Sequence, residues 1–363
     1  MIIMAKEVNA TGLSRDFIIH PGETLAEIIE DRDMSQKELA IRTGVTEKHV
    51  STVLSGQKNI SPSFARKLEY ALGIETEFWM NLQANYEREL LEFEDLKNIS
   101  KEEICVLKNL KEVITTWEEY GIIDKNSDSI STVLEVRKIF GISNLLDTKK
   151  MKYAASYRAQ TTNNVDPYVL FAWQRMCEIV TSDVKGVKEV NTELLQKKIP
   201  EIKQVMFLPG NRIQKKLEKI FAECGIAFKI VPSFKGAPVQ GFIKTKEDGT
   251  LILCMTLRQK FADIFWFTLF HEISHILNGD TKNVFVDFDS VSSDIESKAD
   301  KMARDLLVDS KEYKKFVNEK KYSSQREINE FAEQQNVRSF IIQGRLMKDN
   351  LIPWKARVRY EWA

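Results

Sequence analysis

The residues best suited to chemistry are two histidines that flank a glutamate, in the segment His271-Glu272-Ile273-Ser274-His275. In a helix, side chains four residues apart are neighbours, so both imidazoles would share one face with Glu272 at its edge. Catalytic zinc binds imidazole nitrogens at about 2.0 to 2.1 Å, keeps one position open for water, and works with a carboxylate that takes the water's proton. We predict that His271 and His275 bind Zn2+ and that Glu272 is the catalytic base.

A buried structural helix is the competing interpretation of this segment. In that case the two histidines would only hydrogen-bond inside a core. The preceding residues 261–270 include five aromatic side chains and would bury such a helix without any imidazole. This favours the metal site.

The third metal ligand follows by elimination. The two remaining histidines, His20 and His49, lie near the N-terminus, far along the chain from His271 and His275. The third ligand therefore has to be a carboxylate or a thiol. A helix is predicted over 293–307, with Glu296 one turn before its small inward residues. We predict Glu296 as the third ligand.

Three other acidic residues belong to the same prediction. Asp300 lies one turn after Glu296 and would accept a hydrogen bond from a ligand imidazole. Asp280 and Asp294 remain the competing third ligands.

A small sheet is predicted to position this helix. Residues 226–231, 239–245 and 250–257 have strand composition, and Glu247-Asp248-Gly249 would turn the last two into a hairpin. The third strand leads directly into the histidine helix. This order resembles the minimal core of zinc peptidases of the gluzincin type, and the resemblance implies that an extended peptide binds the sheet edge beside the metal.

A second functional pattern lies near the N-terminus. Ser35 and Thr46 each precede a short amphipathic segment in the position of an N-cap, and Gly44 can take the positive φ of a tight turn between them. Two short helices joined in this way form a helix-turn-helix. The second helix would read bases in the major groove, and Gln36 would face a phosphate. The predicted base-reading residues are Thr46, Glu47, Lys48, Ser51 and Thr52.

Charge supports this assignment only locally. Residues 1–85 contain nine basic and twelve acidic side chains, a net charge of −3. Residues 42–67 contain five basic side chains against one acidic, a net charge of +4. The basic stretch therefore lies where a DNA backbone would meet the module. An ordinary helical bundle with a solvated charged face is the alternative.

Composition indicates which classes of protein this chain can belong to. The 363 residues are 43% hydrophobic, with 53 basic and 53 acidic side chains, which is typical of a globular protein and argues against a nonspecific nucleic-acid coat. No apolar run approaches the roughly 20 residues of a membrane helix. The four cysteines form no CxxC pair, which argues against a disulfide framework. We expect a cytoplasmic protein that does not contact a membrane.

We predict a mainly α fold with a small β-sheet, in the α+β class, divided into three regions. Residues 1–91 would form a five-helix helix-turn-helix domain, 92–205 a helical linker used for dimerisation, and 206–363 a gluzincin-like metallopeptidase domain. In the middle region we predict helices over 100–120, 131–140 and 168–181 from their apolar periodicity.

Residues 20–86 resemble the HigA family of antitoxin repressors, which are similar to the Xre and phage-repressor group. The resemblance rests on His20-Pro21-Gly22-Glu23, Ser35-Gln36 and the closing segment Glu77-Phe78-Trp79-Met80-Asn81. It implies binding of double-stranded operator DNA as a homodimer and, in shorter members, neutralisation of a partner toxin. This chain differs from those members because several hundred more residues follow.

Residues 206–346 resemble the ImmA/IrrE metallopeptidase family. The histidine segment is followed by Glu296-x-x-Ala299-Asp300-x-Met302-Ala303-x-x-Leu306-Leu307, against a family pattern ExEAN-x-FA-x-x-LL. Lys298, Asp300 and Met302 replace the usual acid, Asn and Phe, and none of these changes removes a predicted ligand. The resemblance implies cleavage of a helix-turn-helix repressor.

Three functions are compatible with these patterns. The first is a DNA-binding regulator whose zinc endopeptidase cuts a repressor or the chain itself. The second is a non-proteolytic HigA-like antitoxin or repressor whose metal domain senses or binds, although such a protein would not need Glu272. The third is a general peptidase, for which a DNA-reading helix would have no purpose.

Overall fold

The computed structural model describes residues 15–150, 156–159, 165–182, 184, 189–246, 248–258, 261–280 and 293–354. These residues form two compact units. One is drawn from 1–104 and 127–134, and the other from 105–126 and 135–363. Each unit is described separately below.

The first unit contains the five helices that the sequence predicts. They are α1 Pro21–Asp31, α2 Gln36–Thr43, α3 Glu47–Leu54, α4 Pro62–Leu72 and α5 Thr76–Asn98. Their apolar faces close around a shared core that includes Leu25, Leu39, Val50 and Phe64. The helix α5 continues to Asn98, beyond residue 91, where the sequence analysis ends this domain.

Local signals explain the boundaries of these helices. The hydroxyls of Ser35 and Thr46 accept hydrogen bonds from the amides of Glu38 and His49 and so cap α2 and α3. Gly44 ends α2 with a φ of 62°, which a side chain would disfavour. Both caps and the turn confirm the sequence prediction of a helix-turn-helix.

The second unit is built mainly from helices. Two helices are divided between the units, α6 Lys101–Asn109 and α8 Ser129–Phe140. The described helices that lie wholly within the second unit are α7 Lys111–Glu119, α9 Pro167–Val180, α10 Thr192–Val205, α11 Gly210–Glu223, α12 Ala262–Asn278, α13 Ser293–Leu307, α14 Ser310–Asn318, α15 Gln325–Gln334 and α16 Ser339–Lys348. The single helix predicted over 100–120 is wrong. It is split at Leu110, a fully buried residue, at a point where the sequence has neither proline nor glycine.

The sheet has four strands, β1 Ser156–Ala159, β2 Ile226–Val231, β3 Val239–Thr245 and β4 Leu251–Thr256. Their order is β1-β3-β4-β2. The pairs β1/β3 and β3/β4 are antiparallel, whereas β2/β4 is parallel. The three predicted strands and the hairpin are confirmed, and so is the α+β class.

The fourth strand, β1, lies in the middle region, where the sequence analysis predicted helices only. The described residues between 135 and 205 lie in the same compact unit as the sheet. The strand joins the sheet through partners 80 to 87 residues away, so local periodicity could not reveal it. The predicted use of this region in dimerisation stays a prediction.

The helix α12 is the centre of the second unit. Its buried residues cover almost its whole circumference and include Phe265, Trp266, Phe270 and Ile273. A helix that is apolar on all sides is packed on all sides. It contacts β3 and β4 on the sheet, and α13 and α16 on the helical side. Among the described helices, none is long and apolar enough to cross a membrane.

Candidate functional site

The pair of imidazoles on α12 forms the centre of the candidate metal site. His271 and His275 have only 1% and 7% of their surface exposed. Their ring centroids are 4.7 Å apart, and their Nε2 atoms are 3.0 Å apart. One turn of helix therefore directs two ring nitrogens to a single point.

Glu296 brings a carboxylate to this point from α13. Its Oε2 is 3.2 Å from Nε2 of His271, and its Oε1 is 3.5 Å from Nε2 of His275. One ligand atom from each of the three residues lies within 4.8 Å of the others. The structure thus brings together the three residues that the sequence predicts as ligands.

The spacing of these atoms fits a tetrahedral zinc ion. Two ligand atoms that each lie about 2.05 Å from such an ion are separated by about 3.3 Å. The closest approaches among the three side chains are 3.0, 3.2 and 3.5 Å. The residues present therefore fit zinc in both chemical type and distance.

The other nitrogen of each ring contacts a second carboxylate. Nδ1 of His271 is 2.8 Å from Oδ1 of Asp300, and Nδ1 of His275 is 3.2 Å from Oδ2 of Asp280. Because a carboxylate only accepts, each Nδ1 directs a proton at its partner. Both Nε2 atoms and the Glu296 carboxylate then face one another, and a metal cation that replaces the Nε2 protons would be bound by all three.

The remaining acidic candidates have different positions. Asp300 lies beside the His271 ring, where the sequence analysis places an acceptor. Asp280 contacts the Nδ1 side of His275, away from the point where the Nε2 atoms meet. Asp294 is exposed in the first turn of α13. The sequence analysis missed the acceptor role of Asp280, which only the three-dimensional approach of the chain after α12 reveals.

The electrostatics of the cluster favour a cation. Hydrogen bonds from His271 and then His275 hold the pKa of the Glu296 carboxyl well below its usual value. Burial opposes a charged His275, yet the nearby carboxylates of Glu296 and Glu272 outweigh it and raise the pKa of this imidazole. An ionised carboxylate and surroundings that stabilise positive charge suit a divalent metal.

Glu272 lies against the strand β3. Its side chain is 2% exposed. A Cβ placed on Gly241 would lie 2.5 Å from its Oε1 and 2.8 Å from its Cγ, distances that real Cβ atoms do not show. Only glycine leaves room for this carboxylate. The sequence analysis missed Gly241, although a glycine inside a strand often marks such a close approach.

The candidate DNA-reading residues lie on α3 and at the start of α2. Gln36, Thr46, Glu47, Lys48 and Ser51 are exposed, and Thr52 is half-buried. Two of the hydroxyls already make structural hydrogen bonds, because Thr46 caps α3 and Thr52 donates to the carbonyl of His49. Five of the six predicted DNA-contacting side chains are therefore exposed, and their contact with bases or phosphates stays a prediction.

The positive charge of this face is smaller than the sequence count suggests. Arg42 forms an ion pair with Glu38, and Arg66 forms one with Glu69, both acids lying outside the counted segment. Lys58 contacts Nδ1 of His49. Burial, followed by the charges of Lys58 and Lys67, lowers the pKa of His49.

Comparison with known proteins identifies the first unit. The helix-turn-helix family matches residues 25–79, the segment from α1 into α5. No curated protein matches the chain.

Several solved structures are similar to the N-terminal part of the chain. An addiction module antidote protein of the HigA family from Coxiella burnetii is 29% identical, over 28% of this chain and 91% of that one, with a TM-score of 0.20. A plasmid-maintenance antidote protein from Nostoc punctiforme is 31% identical over 23% and 97%, with a TM-score of 0.20. The Pseudomonas aeruginosa antitoxin HigA, solved with the higBA promoter, is 31% identical over 23% and 96%, with a TM-score of 0.21.

Proposed function

We propose that this chain, whose residues 25–79 form a helix-turn-helix domain, is a DNA-binding transcriptional regulator that carries a zinc-dependent endopeptidase. The peptidase would hydrolyse a peptide bond in a helix-turn-helix repressor or in the chain itself. The observation that supports it is the convergence of His271, His275 and Glu296 within 4.8 Å, beside the buried carboxylate of Glu272. The resemblance to ImmA/IrrE peptidases agrees with this chemistry.

In this proposal His271, His275 and Glu296 hold zinc. When bound, zinc polarises the scissile carbonyl and lowers the pKa of water toward about 7. The Glu272 carboxylate takes the proton of the attacking water and returns it to the leaving amine. Asp300 and Asp280 fix the tautomer and orientation of the two rings, and the low pKa of Glu296 keeps its carboxylate ionised at neutral pH.

Substitution of Gly241 by alanine is expected to slow hydrolysis by roughly 100-fold, the cost of displacing a reacting group by about 1 Å. The added Cβ would collide with Cγ and Cδ of Glu272 as well as with its oxygen, so the whole side chain has to move. Zinc content should be unchanged, because the Cβ meets none of the three ligands. Turnover and zinc content are measured together. Thr245→Ala, at the exposed end of the same strand, is the control, and an unaltered rate in Gly241→Ala would contradict the assignment.

The first unit would recognise double-stranded operator DNA. In this proposal α3 lies in the major groove and Gln36, at the N-terminus of α2, faces a phosphate. A homodimer would present two such helices about 34 Å apart, which matches half-sites one turn of DNA apart. A partner toxin would be a further ligand of this unit.

Lys48→Ala is expected to weaken binding to operator DNA by about 1 kcal/mol or more, because an exposed ammonium on α3 would contact a base edge or a phosphate. The probe is a duplex obtained by in vitro selection with the wild-type chain, and fluorescence anisotropy at fixed salt measures affinity. Arg88→Ala, which removes an exposed positive charge on α5, should bind as wild type does. Equal affinity of all three proteins would contradict the placement of α3 in the groove.

A non-proteolytic antitoxin or repressor is the second candidate. The helix-turn-helix match favours it, because this domain could repress transcription without hydrolysis. In that case the metal domain would sense or bind, and the glutamate of the histidine segment would have no chemical role.

Cleavage of defined proteins separates the two candidates. Zinc-loaded wild type and Glu272→Gln are each incubated with a panel of helix-turn-helix repressors, this chain included, and fragments are identified by mass spectrometry. Cleavage at a defined bond by wild type alone supports the peptidase. Zinc binding by both proteins without fragments from any member of the panel supports the second candidate.

A further inference from the structure

The strand β3 lies against the proposed catalytic base at Gly241. On one side, Gly241 pairs with Met255 of β4. Towards α12, the space that a Cβ of Gly241 would fill is taken by the Glu272 carboxylate. Extended peptides bind to sheets by strand addition. A peptide paired with the edge of β3 that faces away from β4 would therefore run beside the groups that are proposed to perform hydrolysis.

A segment of the same chain pairs with this edge. The strand β1 runs antiparallel to β3, with Ser156 opposite Ile243, Tyr157 opposite Phe242 and Ala159 opposite Val239. The register shifts between Tyr157 and Ala159, so Arg158 alone stands opposite both Gln240 and Gly241. Paired strands are about 4.8 Å apart. The backbone at Arg158 consequently passes next to Gly241, at the level of Glu272.

The pairing of β1 is short and irregular. It contains four residues, and the shift places two residues of β3, Gln240 and Gly241, opposite the single residue Arg158. The extra residue of this bulge therefore belongs to β3. A short, interrupted ladder pairs β1 with β3 in the way that an added peptide strand pairs with a sheet.

We propose that residues 156–159 occupy, within the same chain, the substrate position on β3, and that the chain hydrolyses one of its own peptide bonds between Tyr157 and Ala159. This inference rests on the proposed peptidase function. Water supplies the oxygen of the new carboxylate on the first product, and its proton passes to the nitrogen of the broken C–N bond. No oxidant or second substrate is needed.

The position of this bond has a functional consequence. A cut beside Arg158 leaves the helix-turn-helix domain on the first product and the whole of α12 and α13 on the second. Hydrolysis would therefore separate DNA recognition from the peptidase. Until the cut, β1 competes with any other peptide for the same edge.

The occupancy of this edge is tested without turnover, in the Glu272→Gln chain. Backbone hydrogen exchange of residues 239–243 is measured by mass spectrometry, alone and with Arg158→Pro, which removes an amide from β1. We expect Arg158→Pro to speed exchange at this edge by about tenfold or more, and a synthetic peptide of residues 153–162 to restore protection. Arg158→Ala keeps the amide and is the control. Failure of the peptide to restore protection in a folded variant would overturn the proposal.

Self-cleavage is then tested in the zinc-loaded wild-type chain, alongside an unstructured protein such as casein. Fragments that end between Tyr157 and Ala159, absent from Glu272→Gln, support the proposal. Hydrolysis of casein with residues 156–159 intact would overturn it and leave the peptidase standing. Hydrolysis of neither, with zinc bound, would overturn the peptidase and this inference together.

Discussion

Glu272→Gln is expected to keep one zinc per chain and to lose about 100- to 10,000-fold of the rate of peptide hydrolysis, the usual contribution of a general base. Glutamine has nearly the same shape but cannot take a proton from water. Glu272 is also not among the three residues whose ligand atoms converge. This variant should therefore bind zinc as the wild type does and yet lose its hydrolytic activity. The measurement is initial rate at saturating substrate, with zinc determined on the same sample.

Glu193→Gln is the matched control for this change. Glu193 is an exposed carboxylate in the first turn of α10, and its loss should alter neither zinc content nor rate. A Glu272→Gln chain that hydrolyses substrate as fast as wild type would remove this residue from the mechanism and favour the non-proteolytic candidate.

His275→Ala has the second largest expected effect, on metal affinity. Zinc sites of four ligands contribute about 10 to 16 kcal/mol, so the loss of one ligand costs roughly 3 kcal/mol, or about 100-fold in affinity. The alanine also leaves the half-buried Glu296 carboxylate beside one imidazole only, without half of its ring contacts. Zinc affinity is measured by competition with a chelator, and the rise of Tm on adding zinc should shrink with it.

The first unit supplies the control for the histidine substitution. His49 is a half-buried imidazole on α3 whose Nδ1 contacts Lys58. His49→Ala should leave zinc affinity unchanged. If His275→Ala bound zinc as wild type does, the metal would not lie between α12 and α13.

The features of the fold and site that the sequence predicted are those that depend on local order along the chain. Helix pitch alone sets His271 and His275 on one face, and capping hydroxyls such as those of Ser35 and Thr46 fix where short helices begin. Glu296 could be predicted because the spacing of Ala299 and Ala303 defines the inward face of α13, and an acidic residue one turn earlier lies on the same face.

Two of the features that the sequence did not predict depend on contacts between distant segments. The strand β1 forms only because β3 offers an unpaired edge, and its four residues carry too little periodicity to be recognised. Gly241 acquires its role from the approach of α12. Two other features that the sequence analysis missed are local. Asp280 reaches His275, five residues earlier, after the left-handed turn at Gly279, and the helix break at Leu110 has no proline or glycine to mark it.

Titration of the zinc-free chain with zinc, with hydrolysis of an unstructured protein or a repressor measured at each point, tests the central claim most directly. If His271, His275 and Glu296 hold a catalytic ion, the rate should rise in proportion to added zinc and level off at one equivalent per chain. Saturation of the site at one equivalent with no hydrolysis of any substrate would contradict the claim that this centre is a peptidase.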